Sequence, residues 1–370
     1  MKPKIKFINK DKTQFFNVLK QRVDDYFIEN KISQHANGLM YFKSFFMLAL
    51  HYIPYALIIS GVATGWAFWL CWVGIGLGLA GIGMSVMHDA NHGAYSSSNF
   101  VNKMMGYTVS LVGADVNNWK TQHNVLHHTY TNIHDYDEDI DDKGGMRFSP
   151  SGKHKKVQRF QVVYAFFFYS LMTLYWIVGK DFIQFSRYVK EGQNRDIKRD
   201  RIKKYIQMVA FKLFYYAYIL VLPLLILDVP WWHIIVGFLI MHGVAGLILS
   251  VVFQLAHVVE GTSFPLPDEN GNIENEWAIH QLNTTADFAA KSHLITFYVG
   301  GLNYQAIHHL FPRICHVHYP NIAPIVAQTA KEFGVPYLYY PTFWDALMSH
   351  MRMLKKLGRS EIRQLANEMG

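Results

Sequence analysis

Two long stretches almost without formal charge constrain this chain more than any other feature. No Lys, Arg, Asp or Glu occurs from Ser44 to Met87, and from Leu213 to Val259 the only one is Asp228. A helix needs about 20 apolar residues to cross a bilayer, so each stretch fits two helices and a tight turn. The turns fall near Ser60-Gly61 and near Asp228-Val229-Pro230, and the predicted spans are 44–60, 63–87, 212–228 and 232–258. The expected fold is an all-α integral membrane protein with four transmembrane helices in two hairpins. Charged residues make up 17% of the chain, against about a quarter in soluble domains. The mean hydropathy of +0.06 is nevertheless too low for a bare bundle. Segments 1–43, 88–211 and 259–370 therefore supply a helical polar cap to one membrane domain covering 1–370.

Positive charge sets the expected orientation. Lys2, Lys4, Lys6, Lys10, Lys12, Lys20, Arg22, Lys31 and Lys43 precede the first hairpin, and the basic run from Arg195 to Lys204 precedes the second. The two proposed turns carry no Lys or Arg. The positive-inside rule then puts both termini and both long polar regions in the cytoplasm. Gln161–Gly179 is also uncharged and would add a fifth span. An odd crossing there would part the histidine clusters described next, and its Tyr and Trp residues favour an interface. It reads as an amphipathic helix on the cytoplasmic leaflet, as does the shorter Met104–Val116.

Seven of the 19 histidines fall in three short runs: His88 and His92; His123, His127 and His128; and His308-His309, three residues after Gln305. Residues four apart share one face of an α-helix, so such a pair presents two imidazoles to one cation. His128 and His309 point about 100° further round, toward a second cation. His257, at the cytoplasmic end of the last span, is an eighth candidate ligand. A tetrahedral zinc takes four protein ligands, so eight imidazoles divide between two ions. Neutral ligands leave such ions electron-poor, which suits oxygen activation better than hydrolysis. Asp89, Asp115, Glu260 and Asp287 are candidates to accept from the outer ring N–H groups. The acidic run from Asp135 to Asp142 reads as a solvated loop, with packing against basic segments as its alternative.

In order and spacing, His88-Asp89-Ala90-Asn91-His92-Gly93, His123-Asn124-Val125-Leu126-His127-His128 and Gly301 to Pro312 resemble the three histidine boxes of the membrane fatty acid desaturases. The third box opens with Gln305, which is similar to the front-end subgroup that places a double bond between an existing one and the carboxyl end. The resemblance implies a non-haem centre of two irons, O2 as co-substrate, and a fatty acyl substrate carried on CoA, acyl carrier protein or an intact lipid. It implies His88, His92, His123, His127, His128, His308 and His309 as iron ligands, with His257 as the extra ligand on the last membrane helix. Gln305 stands where other members carry a ligating His, and would act directly or through water. No His-Pro-Gly-Gly motif of a fused cytochrome b5 occurs. Electrons are therefore expected from a separate ferredoxin or cytochrome b5, which the formal charge of +8 would attract, as it would anionic membrane lipids.

Related membrane hydroxylases, ketolases and sphingolipid-type desaturases use similar boxes. A haem-bearing cytochrome would need single histidines on facing spans, where only His51 and His242 stand. A metal transporter would need ionisable groups inside its spans, and these are nearly bare. The basic residues flank membrane helices without a nucleic-acid-binding fold, so no nucleic acid is expected. Cys71 in a span and Cys315 in the polar region lie too far apart to pair, as in a reducing compartment. The basic N-terminus lacks the apolar core of a cleavable leader.

Overall fold

The computed structural model describes residues 5–10, 12–141, 145–193 and 196–359. Among these, four helices are long and apolar enough to cross a membrane: Gly38–Ile59, Gly65–His92, Lys198–Ile226 and Trp231–His257. The turns fall where expected. Gly61 and Gly65 flank the first at φ 72° and 53°, a left-handed conformation that a Cβ disfavours. The second lies between Ile226 and Trp231, at Asp228 and Pro230.

Three boundaries differ from expectation. The first and third helices begin at Gly38 and Lys198, ahead of their apolar windows, because helical hydrogen bonding runs on through polar turns while only the apolar part must meet lipid. The second helix continues to His92, so the first histidine box is the last turn of a span and not the start of the cap. Gln161–Gly179 forms no straight fifth span. The helices Lys156–Ser170 and Met172–Lys190 meet there at a 55° bend. Met104–Val116 is likewise broken into short helices, Asn99–Gly106 and Thr108–Leu111 among them.

In each pair of spans the second helix is the inner one. In Gly65–His92, 67% of the apolar window is buried, against 28% in Gly38–Ile59; the values are 50% for Trp231–His257 and 22% for Lys198–Ile226. The outer helices turn Phe42, Phe45, Ile53, Leu213 and Leu225 outward, as a lipid phase permits. Both inner helices end on candidate metal ligands, His88 and His92 in one and His257 in the other.

The described residues pack as two units, one from 38–121 and 166–251, the other from 2–37, 122–165 and 252–370. In the first unit a Cβ on Gly78 would lie 2.5 Å from the backbone nitrogen of His51, so these two helices cross in backbone contact. Lys212, which bounded the predicted apolar stretch, lies buried inside a span. It pairs with Asp181 at 2.8 Å and donates to the Gly113 and Ile177 carbonyls at 3.0 Å each. His242 is engaged at both ring nitrogens, by the Tyr215 hydroxyl at 2.8 Å and Thr173 Oγ1 at 3.1 Å. His51 Nδ1 meets the Ile75 carbonyl at 3.0 Å. These rings tie helices together and do not form a bis-histidine haem site.

In the second unit, Phe15, Leu19, Val23 and Phe27 recur every four residues and give the helix Phe15–Glu29 one buried stripe. They share a core with Ile322, Val326 and Ala330 of Tyr319–Glu332 and with Ile307 and Leu310. That core anchors the short helix Gln305–Leu310, which carries the third box. Two parallel strand pairs complete the unit: Lys6–Phe7 with Asn272–Ile273, and Ala286–Phe288 with Leu338–Tyr340.

Candidate metal centre

The second box does not sit on a regular α-helix. The helix Val116–Lys120 passes into a π-helical run, Thr121–His127, and then into His128–Tyr130. In a π turn the hydrogen bonds reach from i to i+5, and such widened turns recur at functional sites. His123 and His127, four apart on this run, stack with ring centres 5.3 Å and planes 23° apart. His127 joins His257 and His309, with one ring nitrogen from each within 4.8 Å of the others. His123 also stacks on His308, with ring centres 5.8 Å apart and planes 13° apart. His128 lies 4.6 Å from His308 and 4.4 Å from His309. This grouping departs from expectation in one respect: His309 lies with His127, which the sequence reading set toward a different cation.

Outer partners fix which nitrogen of each ring is available. His127 Nδ1 donates to the buried Asp137 carboxylate at 3.0 Å, and His309 Nδ1 donates to Gln281 Oε1 at 2.8 Å. His257 Nδ1 meets the Thr284 carbonyl at 3.3 Å. Each acceptor demands a proton on Nδ1, which leaves the Nε2 lone pair for a cation. His127 Nε2 is buried with no hydrogen-bond partner, an atom that a metal would satisfy. Burial alone would depress the basicity of His127, but the charges of Asp137 and Asp139 and the Asp137 hydrogen bond outweigh it and raise its pKa above the usual histidine value. Gln305 Nε2 lies 3.2 Å from His257 Nε2, and Gln305 Oε1 is buried without a partner. Rotation of that amide would turn its oxygen toward the same cation. The donor set thus fits a metal ion held by neutral imidazoles.

His88 and His92 belong to the first unit. Their rings lie 4.8 Å apart, and each stands edge-on to Trp119, at 5.7 and 5.8 Å. A π-helical run, Ile82–Val86, immediately precedes them. His88 Nδ1 is 3.8 Å from the Asp89 carboxylate, too long for a hydrogen bond.

The sequence that builds this arrangement has counterparts in known proteins. The model of the fatty acid desaturase family matches residues 63–341. The chain belongs to the fatty acid desaturase family. It is 38% identical to the sn-1 linoleoyl-lipid 6-desaturase of Arthrospira platensis, over 93% of this chain and 92% of that one. It is 36% identical to the protein of the same name from Synechocystis sp., over 96% and 98%. Identity to the acyl-lipid (8-3)-desaturase of Physcomitrium patens is also 36%, over 98% of this chain and 75% of that one.

Three of the four candidate acceptors of this membrane oxidoreductase have partners other than the box imidazoles. Asp115 caps the helix Val116–Lys120 through the Asn118 N–H at 2.8 Å, and burial, with Asp181 nearby, pushes its carboxyl up to about 6. Glu260 pairs with Arg352 at 2.7 Å. Asp287 accepts from the Ala306 N–H at 2.8 Å and from the Tyr337 hydroxyl, and burial pushes it up to about 7. It therefore holds the backbone that opens the third box. The acidic run is not solvated throughout: Asp137 is fully buried, turned inward to His127, and Glu138 is nearly so, whereas Asp135 is exposed and Asp142 lies outside the described residues. The partners that sequence reasoning missed are Asp137, Gln281, Thr131 and Tyr319. Thr131 Oγ1 lies 2.7 Å from the His127 carbonyl and 2.8 Å from Gln281 Oε1, and the Tyr319 hydroxyl is 3.1 Å from His308 Nδ1. Only Asp137 had a signal, in an acidic run directly after the second box.

Proposed function

We propose that this desaturase acts on acyl chains esterified in membrane lipids and inserts a cis double bond between an existing one and the carboxyl end. The relatives named as lipid-linked 6-desaturases, each covered almost end to end, support the substrate class and the position. Gln305 at the head of the third box supports the front-end assignment. The observation that carries the chemistry is the convergence of His127, His257 and His309, each anchored at Nδ1 by an outer acceptor.

His127, His257 and His309 would hold one iron, with Gln305 as a direct or water-mediated neighbour; His88, His92, His123, His128 and His308 are the remaining candidate ligands. Asp89 remains a candidate acceptor beside His88, while Asp115, Glu260 and Asp287 would support the site only through the backbone or surface. Two irons bound there would supply the oxidising power, with O2, two electrons and two protons, for removal of one hydrogen from each of two adjacent methylenes, leaving a double bond and two waters. The protein's own task is placement, because an alkyl chain offers no polar handle at the reacting carbons. The Nδ1 anchors fix ring orientation, and the Asp137 carboxylate raises the donor strength of His127. Apolar inner helices ending on the ligands let the chain approach from the lipid side. The Lys and Arg distribution supports a cytoplasmic site and termini, open to a separate ferredoxin or cytochrome b5.

The test is expression in a host without front-end desaturation, fed linoleic acid, with lipid classes analysed by gas chromatography and mass spectrometry. The expected product is a triunsaturated chain with its new double bond on the carboxyl side, appearing first in intact lipids. A hydroxylated chain, or a double bond on the methyl side, would overturn the proposal. Protein from iron-supplemented cells should carry two irons per chain and no haem Soret band.

A further inference from the structure

Asn132, four residues beyond the second box, holds a backbone conformation that L residues seldom adopt, at φ 59°, and is fully buried. Asparagine is among the few side chains that tolerate it. Its backbone N–H donates at 3.0 Å to the same Asp137 oxygen that accepts from His127 Nδ1. Its side-chain Nδ2 reaches three carbonyls: His257 at 3.0 Å, Ser263 at 3.1 Å and Thr284 at 3.2 Å. All three neighbours accept, so the nitrogen, not the oxygen, must point there. The Thr284 carbonyl is also the acceptor of His257 Nδ1.

One residue thus grips the carboxylate that orients His127, the last backbone carbonyl of the span that carries His257, and the carbonyl that orients the His257 ring. We infer that Asn132 is a positioning residue that sets the His127–His257 geometry of the metal centre. The inference rests on the metal-centre reading above. Three acceptors around one amide could not be served by aspartate, whose oxygens would repel them, nor by a shorter donor. The left-handed backbone is what lets the N–H and the side chain point to opposite sides, one to the second box and the other to the end of the last span.

The test uses the full-length protein in detergent, stripped of metal and titrated with cobalt(II) against a competing chelator, with thermal unfolding followed in parallel. Asn132→Gly keeps the left-handed backbone and the N–H to Asp137 while deleting the amide. Asn132→Ser keeps one short donor and serves as the test if the glycine variant does not fold. Loss of an outer partner of a metal ligand lowers affinity by about 10- to 100-fold. That loss, with altered cobalt d–d bands, is expected for Asn132→Gly, and Asn132→Ser should lie between it and the unaltered protein. Ile219→Ala, a change at a buried residue of the span Lys198–Ile226, which carries no candidate ligand, should lower the melting temperature and leave cobalt binding unchanged. Unaltered affinity and spectrum in both Asn132 variants would overturn the inference, as would an equal loss of affinity in Ile219→Ala. If the unaltered protein and His127→Ala bind cobalt alike, the metal-centre reading itself fails and takes the inference with it.

Discussion

Replacing Asp137 with Asn isolates the charge behind His127. The carboxylate is fully buried and accepts three N–H groups at 3.0 Å each: His127 Nδ1 and Asn132 N at one oxygen, Asp139 N at the other. Asparagine has the same shape but one accepting oxygen. Its cheaper orientation keeps that oxygen toward His127 and Asn132 and turns its NH2 against the Asp139 N–H. The variant thereby loses one hydrogen bond to a charged acceptor, worth about 1.5–3 kcal/mol. The two that remain become neutral-acceptor bonds of about half their former strength. Together these effects predict a loss of about 2–4 kcal/mol in stability. They also predict a drop of about 10- to 100-fold in metal affinity, since His127 becomes a poorer donor. Thermal unfolding in detergent and chelator competition measure the two separately. Asp139→Asn is the comparison: its carboxylate stands 3.9 Å from His127 Nδ1 and is partly exposed, so it should cost much less metal affinity. The reasoning is refuted if Asp137→Asn holds metal as firmly as the unaltered protein, or if Asp139→Asn weakens binding more.

Other perturbations test the scaffold. Lys212→Met should cost about 3–5 kcal/mol in unfolding measurements, because it strands the buried Asp181 and two carbonyls; melting within a degree of the unaltered protein would refute the buried pair. Gly78→Ala places a methyl against the backbone of His51 and should cost about 3 kcal/mol, whereas Gly243→Ala meets open space and should cost nothing measurable in the same assay. For Asp287, whose folded pKa of about 7 exceeds the ordinary 3.8, the native state binds its proton more tightly than the unfolded chain. Its contribution is therefore fully present below about pH 4 and is lost as pH rises toward 7. Melting curves across that window should fall for the unaltered protein relative to Asp287→Asn, and parallel curves would refute the assignment.

The architecture was legible because its cause is coarse. Runs of more than forty residues with at most one formal charge leave two crossings each as the economical arrangement, and glycine or proline at the expected turns ends them. The histidine boxes were legible as residues but not as partnerships. His127 groups with His257 and His309, from segments far apart in the sequence, a partnership that helical periodicity cannot foresee. Lys212 was misjudged as an edge because its partner, Asp181, is distant in sequence. Gln281 and Asn132 are ordinary polar residues in the sequence and gain their roles only through contacts across long chain separations.

Irregular backbone lies at the imidazoles of the second unit: a π run carrying His123 and His127, a left-handed Asn132, and a six-residue helix carrying His308 and His309. Each departure costs free energy that the surrounding core must offset, which favours it where function requires the geometry. The acceptors behind the trio also differ in kind. His127 faces a carboxylate, His257 a backbone carbonyl and His309 a carboxamide, so only one ligand gains donor strength from a full charge. A carboxylate behind every ligand would add buried charge and make the bound ion a weaker oxidant. One charged and two neutral acceptors hold all three rings in the same tautomer, and on the proposed reading they would leave a bound ion cationic, the balance required to oxidise a hydrocarbon that offers no polar group of its own.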